Sequence, residues 1–459
     1  MGRPTTRLQV SGYRFLMRRT EHALVRADVR MLDDPLRGQS IALVAGAVLA
    51  AIVLAGCAVL AVLRPQAGLA DAAVVADRQS GALYVRIDDT LHPVPNLASA
   101  RLIVGDAAEP RTVAAEALAE ARRGPQVGIP GAPASIGPAM SREDTGWTVC
   151  DTDASTTVIV GPSPPGAVAP DDAVLVTARS EGPAVTYLLA GGRRAAVDLR
   201  DTAVVRALRL DGVTPRPVSR TLLDALPESP PIAAPTVPAS GARGALAGHP
   251  VGTVVRLPRA DATEYYVVLA DGVQRIGEVT ADLIRFSVTQ PTGDIPTVAP
   301  DAVAAAGVVD TLPVATHPDH VSIADPAVLC AHWMATGDVT TTLLDGAALL
   351  RRSAGVELAQ ADAAGPNVDA VVMPAGRSVY ARPVGVTGAG GDAQPRWLMT
   401  DLGVVFGVPD DDTARDLGIA GAPVPAPWPV LARLPRGPEL SRAAASVVRD
   451  SVGAPAPTP

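Results

Sequence analysis

Lysine is absent from this chain: all 39 basic side chains are arginine. A P-loop reaches the β- and γ-phosphates of a nucleotide with a lysine that follows a glycine-rich turn, so that mode of nucleotide binding is excluded. Schiff-base and Ser-Lys nucleophilic mechanisms go with it. No G-x-S-x-G pattern occurs, which leaves a hydrolase nucleophile on a strained turn without support. Aromatic residues make up only 3% of the chain, charged residues 19% and cysteines three positions, Cys57, Cys150 and Cys330. Hydrophobic residues at 48% nevertheless exclude wholesale disorder, and 42 Gly with 44 Pro demand many turns and linkers.

The 459 residues are long enough for roughly two to four domains. Net charge is −8, yet the first forty residues are basic and the acidic excess lies downstream. Nucleic acid is not an expected partner.

Between Ile41 and Leu63 no residue is charged. At about 1.5 Å per residue this run crosses the ~30 Å hydrocarbon core of a bilayer with room for tilt. Arg3, Arg7, Arg14, Arg18, Arg19, Arg26, Arg30 and Arg37 precede it, and only Arg64 follows closely. The positive-inside rule then predicts a cytosolic segment over 1–40, a transmembrane helix over 41–63 and an exoplasmic ectodomain over 64–459. Leu54-Ala55-Gly56-Cys57 spells a lipoprotein lipobox, but the apolar run continues through Ala58 to Leu63 and places that tetrad inside the bilayer. Ala42, Gly46 and Ala50 recur at helical spacing and would let a neighbouring transmembrane helix approach closely. In an alanine-rich run, chance spacing is the competing explanation.

Between Ser11 and Pro35, helical periodicity sets Tyr13, Met17, Thr20, Leu24, Ala27 and Met31 on one face, with Arg14, Arg18, His22, Arg26 and Arg30 in a stripe elsewhere. Such a helix does not bury its apolar face alone. It either lies on anionic lipid or docks on a partner. Phe15, Val25 and Val29 interrupt the basic side and favour docking, with Tyr13, Arg14, Phe15, Met17, Arg18, His22, Leu24 and Arg26 as the contact set.

Three stretches here are specific: Gln9-Val10-Ser11-Gly12-Tyr13-Arg14-Phe15, Glu21-His22-Ala23-Leu24-Val25-Arg26 and Asp34-Pro35-Leu36-Arg37. Together they resemble the N-terminal signature of EccB, membrane component B of the type VII (ESX) secretion systems. The order of basic helix, single span and Pro-rich ectodomain with two cysteines agrees, so the resemblance covers essentially the whole chain. It implies an α/β mixed (α+β) ectodomain of four small repeats around a split central domain, each repeat similar to a phage-lysin wall-binding module. It also implies an inner-membrane location, self-association, and the partners EccC, EccD, EccE and the mycosin protease, with WXG100-type proteins as cargo.

Internal comparison supports the repeats. Leu222-Leu223-x-x-Leu226-Pro227-x-x-Pro230 is echoed by Val430-Leu431-x-x-Leu434-Pro435-x-x-Pro438. Upstream, Ala184 to Val197 and Arg396 to Val408 each read as two strands around a glycine turn, followed by short helices at Thr202 to Leu208 and Asp411 to Leu417. Weaker copies begin at Leu83-Tyr84-Val85 and Tyr265-Tyr266-Val267-Val268, and repeated Pro and Leu in a biased composition would produce similar echoes. The predicted order is repeat 1 (about 74–125), a central segment (126–180), repeat 2 (183–226), a Pro-rich linker (227–250), repeat 3 (251–310), another central segment (311–390), repeat 4 (395–446) and a disordered tail (447–459). The repeats form two pairs, with a cysteine segment between the members of each. Cys150 and Cys330 fall one in each central segment, so a disulfide in an oxidising space would tie the two halves together; two buried free thiols are the alternative.

His317, His320 and His332 lie near Asp319, but Pro318 disfavours a helix and the spacing matches no metal pair, so no metal is expected. ATP hydrolysis has been described for the EccB family. Without lysine it needs an arginine cradle that no motif marks, so neither catalytic residues nor a cofactor are assigned. The function expected is a structural subunit of the secretion complex, with a peptidoglycan anchor or an exoplasmic ATP hydrolase as alternatives.

Overall fold

The computed structural model describes residues 6–27, 29, 35–63, 72–166, 169, 172–179, 185–260, 262–287, 294–352, 355–391 and 394–450. It divides into an N-terminal unit, Met1–Ala70, and a large C-terminal body, Asp71–Pro459. In the first unit the basic stretch forms a helix over Arg7–Arg26 and the apolar run a helix over Pro35–Leu63. Arg30 and Met31 lie outside the described residues.

Four repeats in the body share one order of elements. Three consecutive antiparallel strands are followed by a helix, a segment parallel to the first strand, a second helix, and a segment parallel to the third. In repeat 1 the three strands are Val74–Asp77, Leu83–Ile87 and Thr90–Val94, flanked by Arg111–Val113 and Arg122–Arg123. In repeat 2 they are Asp172–Ala178, Thr186–Ala190 and Arg193–Val197, flanked by Arg216–Val218 and Glu228–Ile232. Repeat 3 uses Val254–Pro258, Thr263–Val268 and Val273–Ile276, and its flanking segments shrink to single bridges at Thr297 and Val308. Repeat 4 uses Ser378–Val384, Arg396–Thr400 and Val405–Val408, flanked by Val424–Pro427 and a bridge at Arg436. The helix after the third strand starts at a side-chain cap in three of them: Asn96, Asp201 and Asp410 each accept a bond from a backbone N–H one turn on.

Two strands lie upstream of where the sequence pattern begins the repeats. Asp172–Ala178 and Ser378–Val384 belong to the sheets of repeats 2 and 4, whereas the pattern assigns them to the central segments. Both are largely buried runs without alternation, and each precedes the glycine hairpin on which the internal match is anchored. The Pro-rich stretch from 227 likewise opens with a strand, Glu228–Ile232, on the sheet edge, where Pro230 and Pro231 cost the fewest ladder bonds. Val448–Arg449, in the expected tail, pairs with Gln126–Val127, and residues 451–459 lie outside the described residues.

The central domain is a six-stranded sheet built around two hairpins from distant regions of the chain. Its order is Thr340–Asp345, Leu329–Met334, Gly146–Asp151, Thr156–Gly161, Ala370–Val372 and Val356–Glu357. One face carries Trp147 and Trp333, opposite each other and almost fully buried. Into the core on this face run both echoed motifs, Leu222, Leu223 and Leu226 from one and Val430, Leu431 and Leu434 from the other. Their helices, Arg220–Asp224 and Trp428–Leu431, pack against each other, so repeats 2 and 4 meet at the centre.

The other neighbours differ from the expected pairs. Leu97–Val104 of repeat 1 packs on Asp411–Asp416 of repeat 4 and on the following helix, Arg442–Ala445. Thr202–Ala207 of repeat 2 packs on Glu278–Ser287 of repeat 3. Spatial adjacency therefore runs 1, 4, 2, 3. Buried apolar side chains choose these partners, and linear order does not reveal them.

Candidate assembly and clasp elements

The apolar helix has 29 residues, and its apolar span, Ser40–Val59, is wholly unburied within the structure. At about 1.5 Å per residue this length exceeds a hydrocarbon core. Ala42, Gly46 and Ala50 share one exposed face, and a Cβ built on Gly46 meets nothing within 4 Å. No partner helix occupies that stripe among the described residues.

The basic helix begins at Thr6, whose N–H donates to the Gln9 side chain at 3.0 Å. Tyr13 at 66%, Phe15 at 55%, Met17 at 48% and Leu24 at 85% remain exposed, as do Arg14, Arg18 and Arg26. Of the predicted contact set only His22 is buried. Leu8 and Leu16 are exposed as well and add to the apolar surface of this helix. A twenty-residue helix with this much apolar surface in water is an unpartnered surface.

The clasp sits where the two halves of the central sheet join. Cys150 and Cys330 face each other on adjacent antiparallel strands with Cα atoms 4.1 Å apart, and they are disulfide-bonded and fully buried. Two residue pairs further along the same face, His332 Nδ1 and Thr148 Oγ1 are hydrogen-bonded at 2.9 Å. Burial holds the His332 imidazolium below its ordinary pKa. Next to Cys150 and on the opposite face, Asp151 accepts from the Ser219 hydroxyl at 2.9 Å and from the Ser219 N–H, with Arg179 at 3.5 Å. Desolvation pushes the Asp151 carboxyl up, and the Ser219 N–H, Arg179 and the Ser219 hydroxyl pull against it. Ser219 also caps the helix of the echoed motif, which couples repeat 2 to the sheet.

The three histidines of the sequence pattern diverge. His332 lies inside the central sheet, His317 bonds Thr280 at 3.0 Å, and His320 bonds Glu278 at 2.8 Å on repeat 3. No group of three or more metal-ligating side chains converges among the described residues. Several arginines with mostly buried side chains are bound internally: Arg101 to Leu417 O and Glu109, Arg179 to Thr152 O and Asp151, and Arg216 to Ala327 O and Asp153.

A family model described as Type VII secretion system ESX-1, transport TM domain B, matches residues 2–454. This chain belongs to the EccB family. It is 37% identical to the ESX-3 secretion system ATPase EccB3 of Mycolicibacterium smegmatis, covering 97% of this chain and 91% of that one. It is 36% identical to the ESX-5 secretion system ATPase EccB5 of Mycobacterium marinum, covering 98% and 94%. Among solved structures it resembles a chain of an intact ESX-5 inner membrane complex at TM-score 0.71 and 33% identity, covering 100% of this chain and 98% of that one. Another, the EccB3 dimer from the ESX-3 core complex, gives TM-score 0.71 at 32% identity over 82% and 100%. This member of the family carries the mixed α/β body, the buried disulfide and the apolar N-terminal helix on one chain.

Proposed function

We propose that this chain is a structural subunit of an inner-membrane type VII secretion complex, with residues 1–40 cytosolic, one membrane span and a periplasmic body, and that it supports export of small WXG100-type proteins. The likeness over the full length to a chain of an intact ESX-5 inner membrane complex carries this reading. The arginine excess before the apolar helix supports the orientation. The exposed basic helix, through Tyr13, Arg14, Phe15, Met17, Arg18, Leu24 and Arg26, docks on membrane subunits of the EccC, EccD and EccE kinds. The face of Ala42, Gly46 and Ala50 packs on a neighbouring span, and the body associates with further copies and with the mycosin protease. The dimeric ESX-3 relative supports that self-association.

Deleting residues 1–40 is expected to release the protein from its complex on native gels while the body keeps its near-UV circular dichroism. Unchanged complex recovery would refute the docking role. Protease added to outward-facing vesicles is expected to digest the body; full protection would reverse the orientation. Pull-down of the protein on purified peptidoglycan tests the wall-anchor alternative, for which strong retention would count.

The relatives' names carry the word ATPase, so ATP hydrolysis is a second reading. Turnover by purified full-length protein, abolished by an arginine or carboxylate substitution that leaves the fold intact, would establish it.

A further inference from the structure

Repeats 2 and 4 treat one position in opposite ways. In repeat 2 the Arg194 guanidinium stacks over the Tyr187 ring at 5.7 Å and is met by two carboxylates, Asp224 at 3.0 Å and Glu228 at 3.4 Å. Backbone register sets Arg194 opposite Glu228. In repeat 4 the same register sets Val405 opposite Arg436. Trp397 holds the place of Tyr187 as the second residue of its strand, and the echoed motif puts Ala432 and Arg436 where Asp224 and Glu228 stand. An arginine on an aromatic ring is thus kept, moved to the neighbouring segment, and both of its carboxylates are lost.

Arg436 is nevertheless held in place. Its Cζ lies 5.3 Å from the Trp397 ring centroid and 5.5 Å from that of Trp428, and the two indoles stand 6.0 Å apart at 42°. The backbone on either side is clamped, since Val405 N–H donates to Pro435 O and Gly437 N–H to Val405 O, both at 2.9 Å. Arg436 is exposed, and among the described residues it makes no ion pair and no side-chain hydrogen bond. A guanidinium stacked on rings keeps its in-plane N–H donors open, in the fork geometry that suits a carboxylate.

We propose that Arg436, Trp397 and Trp428 form a recognition site for an Asp or Glu carboxylate of a partner polypeptide, with apolar atoms beside that carboxylate resting on the exposed part of Trp428. The internal precedent names the ligand: in repeat 2 the guanidinium stacked on the aromatic ring is met by protein carboxylates. A sugar would stack on open indole faces, and the guanidinium already occupies one face of each ring. The site does not depend on membership of a secretion complex.

The test uses the full chain in detergent micelles and a blocked peptide, acetyl-Leu-Glu-Leu-Glu-amide, followed by tryptophan emission. Trp147 and Trp333 are buried in the central core, so a change in emission reports Trp397 and Trp428. Saturable binding is expected, weakened by added salt and about tenfold by Arg436→Gln, with Arg436→Lys intermediate because an ammonium lacks the fork. Arg433→Gln, an exposed neighbour, is expected to bind as the parent does. Equal binding of the Leu-Gln-Leu-Gln peptide, unchanged affinity in Arg436→Gln with an unaltered fold, or equal loss in Arg433→Gln would overturn the proposal. So would tighter binding of a purified muropeptide than of the glutamate peptide.

Discussion

Cys150 and Cys330 lie directly opposite each other on neighbouring strands, although 180 residues separate them in sequence. Closing so long a loop restricts the unfolded chain strongly, and the chain-entropy model gives about 5 kcal/mol as an upper figure. Replacing both cysteines by alanine is expected to lower stability by about 2–5 kcal/mol in guanidinium titrations. A midpoint unmoved by the double substitution would show that the clasp adds nothing to the sheet that it joins.

Gly346 covers the disulfide. A Cβ there would stand 2.1 Å from the Cys330 sulfur and 3.3 Å from that of Cys150, both locked in place by the bond between them. Gly346→Ala is therefore expected to cost about 1–3 kcal/mol, the range for overpacking a core. The penalty should shrink when both cysteines are alanine, which a double-mutant comparison reads directly.

Burial depresses the pKa of His332 and of His317 below the ordinary 6.5. The unfolded chain then binds protons that the folded chain does not, so stability is full above the unfolded value and falls as pH drops from about 6.5 toward the folded one. Each group contributes a slope of up to about 1.4 kcal/mol per pH unit in that window. His332→Gln is expected to flatten the decline of melting temperature between pH 7 and pH 5, and an identical profile would remove His332 as a contributor. Asp151 acts in the reverse sense at lower pH, because its raised carboxyl pKa favours the folded state once pH falls toward the unfolded 3.8.

Leu223 and Leu431, the matching leucines of the two echoed motifs, are both buried at 0–1% in the central core. Leu223→Ala and Leu431→Ala are each expected to cost about 2–5 kcal/mol. Because their helices pack together, the pair should be non-additive by at least about 0.5 kcal/mol. Strict additivity would place the two side chains in independent cores.

Much of the local structure is legible in the sequence. Hairpins at Gly191-Gly192 and near Gly403 announce themselves because glycine turns and short alternating strands are written within a dozen residues. The long apolar helix and the lone pair of distant cysteines are equally plain. What the pattern does not carry is pairing at a distance: repeat 1 lies on repeat 4, not on repeat 2, for reasons held in Ala98, Leu102, Phe406 and Leu417 together. The runs at 172–178 and 378–384 escape recognition as repeat strands because a strand buried on both faces does not alternate. Arg436 is only faintly marked in one dimension, as the residue that follows Leu434-Pro435 where Glu228 follows Leu226-Pro227. Its open guanidinium is visible only beside the satisfied Arg194 of the sister repeat, and the other available hint is that two of only four tryptophans, Trp397 and Trp428, fall within forty residues of it.

The interleaving of the repeats bears on how the molecule is made. Leu440 and Ala445, near the end of the described chain, cover the helix that carries Ala98 and Leu102 near its beginning. A polypeptide emerging from its N-terminus must therefore keep its first repeat half-bare until the last one arrives, and the middle sheet waits on a hairpin from the second half. A truncated product would expose apolar surface at both ends at once, so the body is built to fold late and whole, with unfinished copies left open to proteolysis.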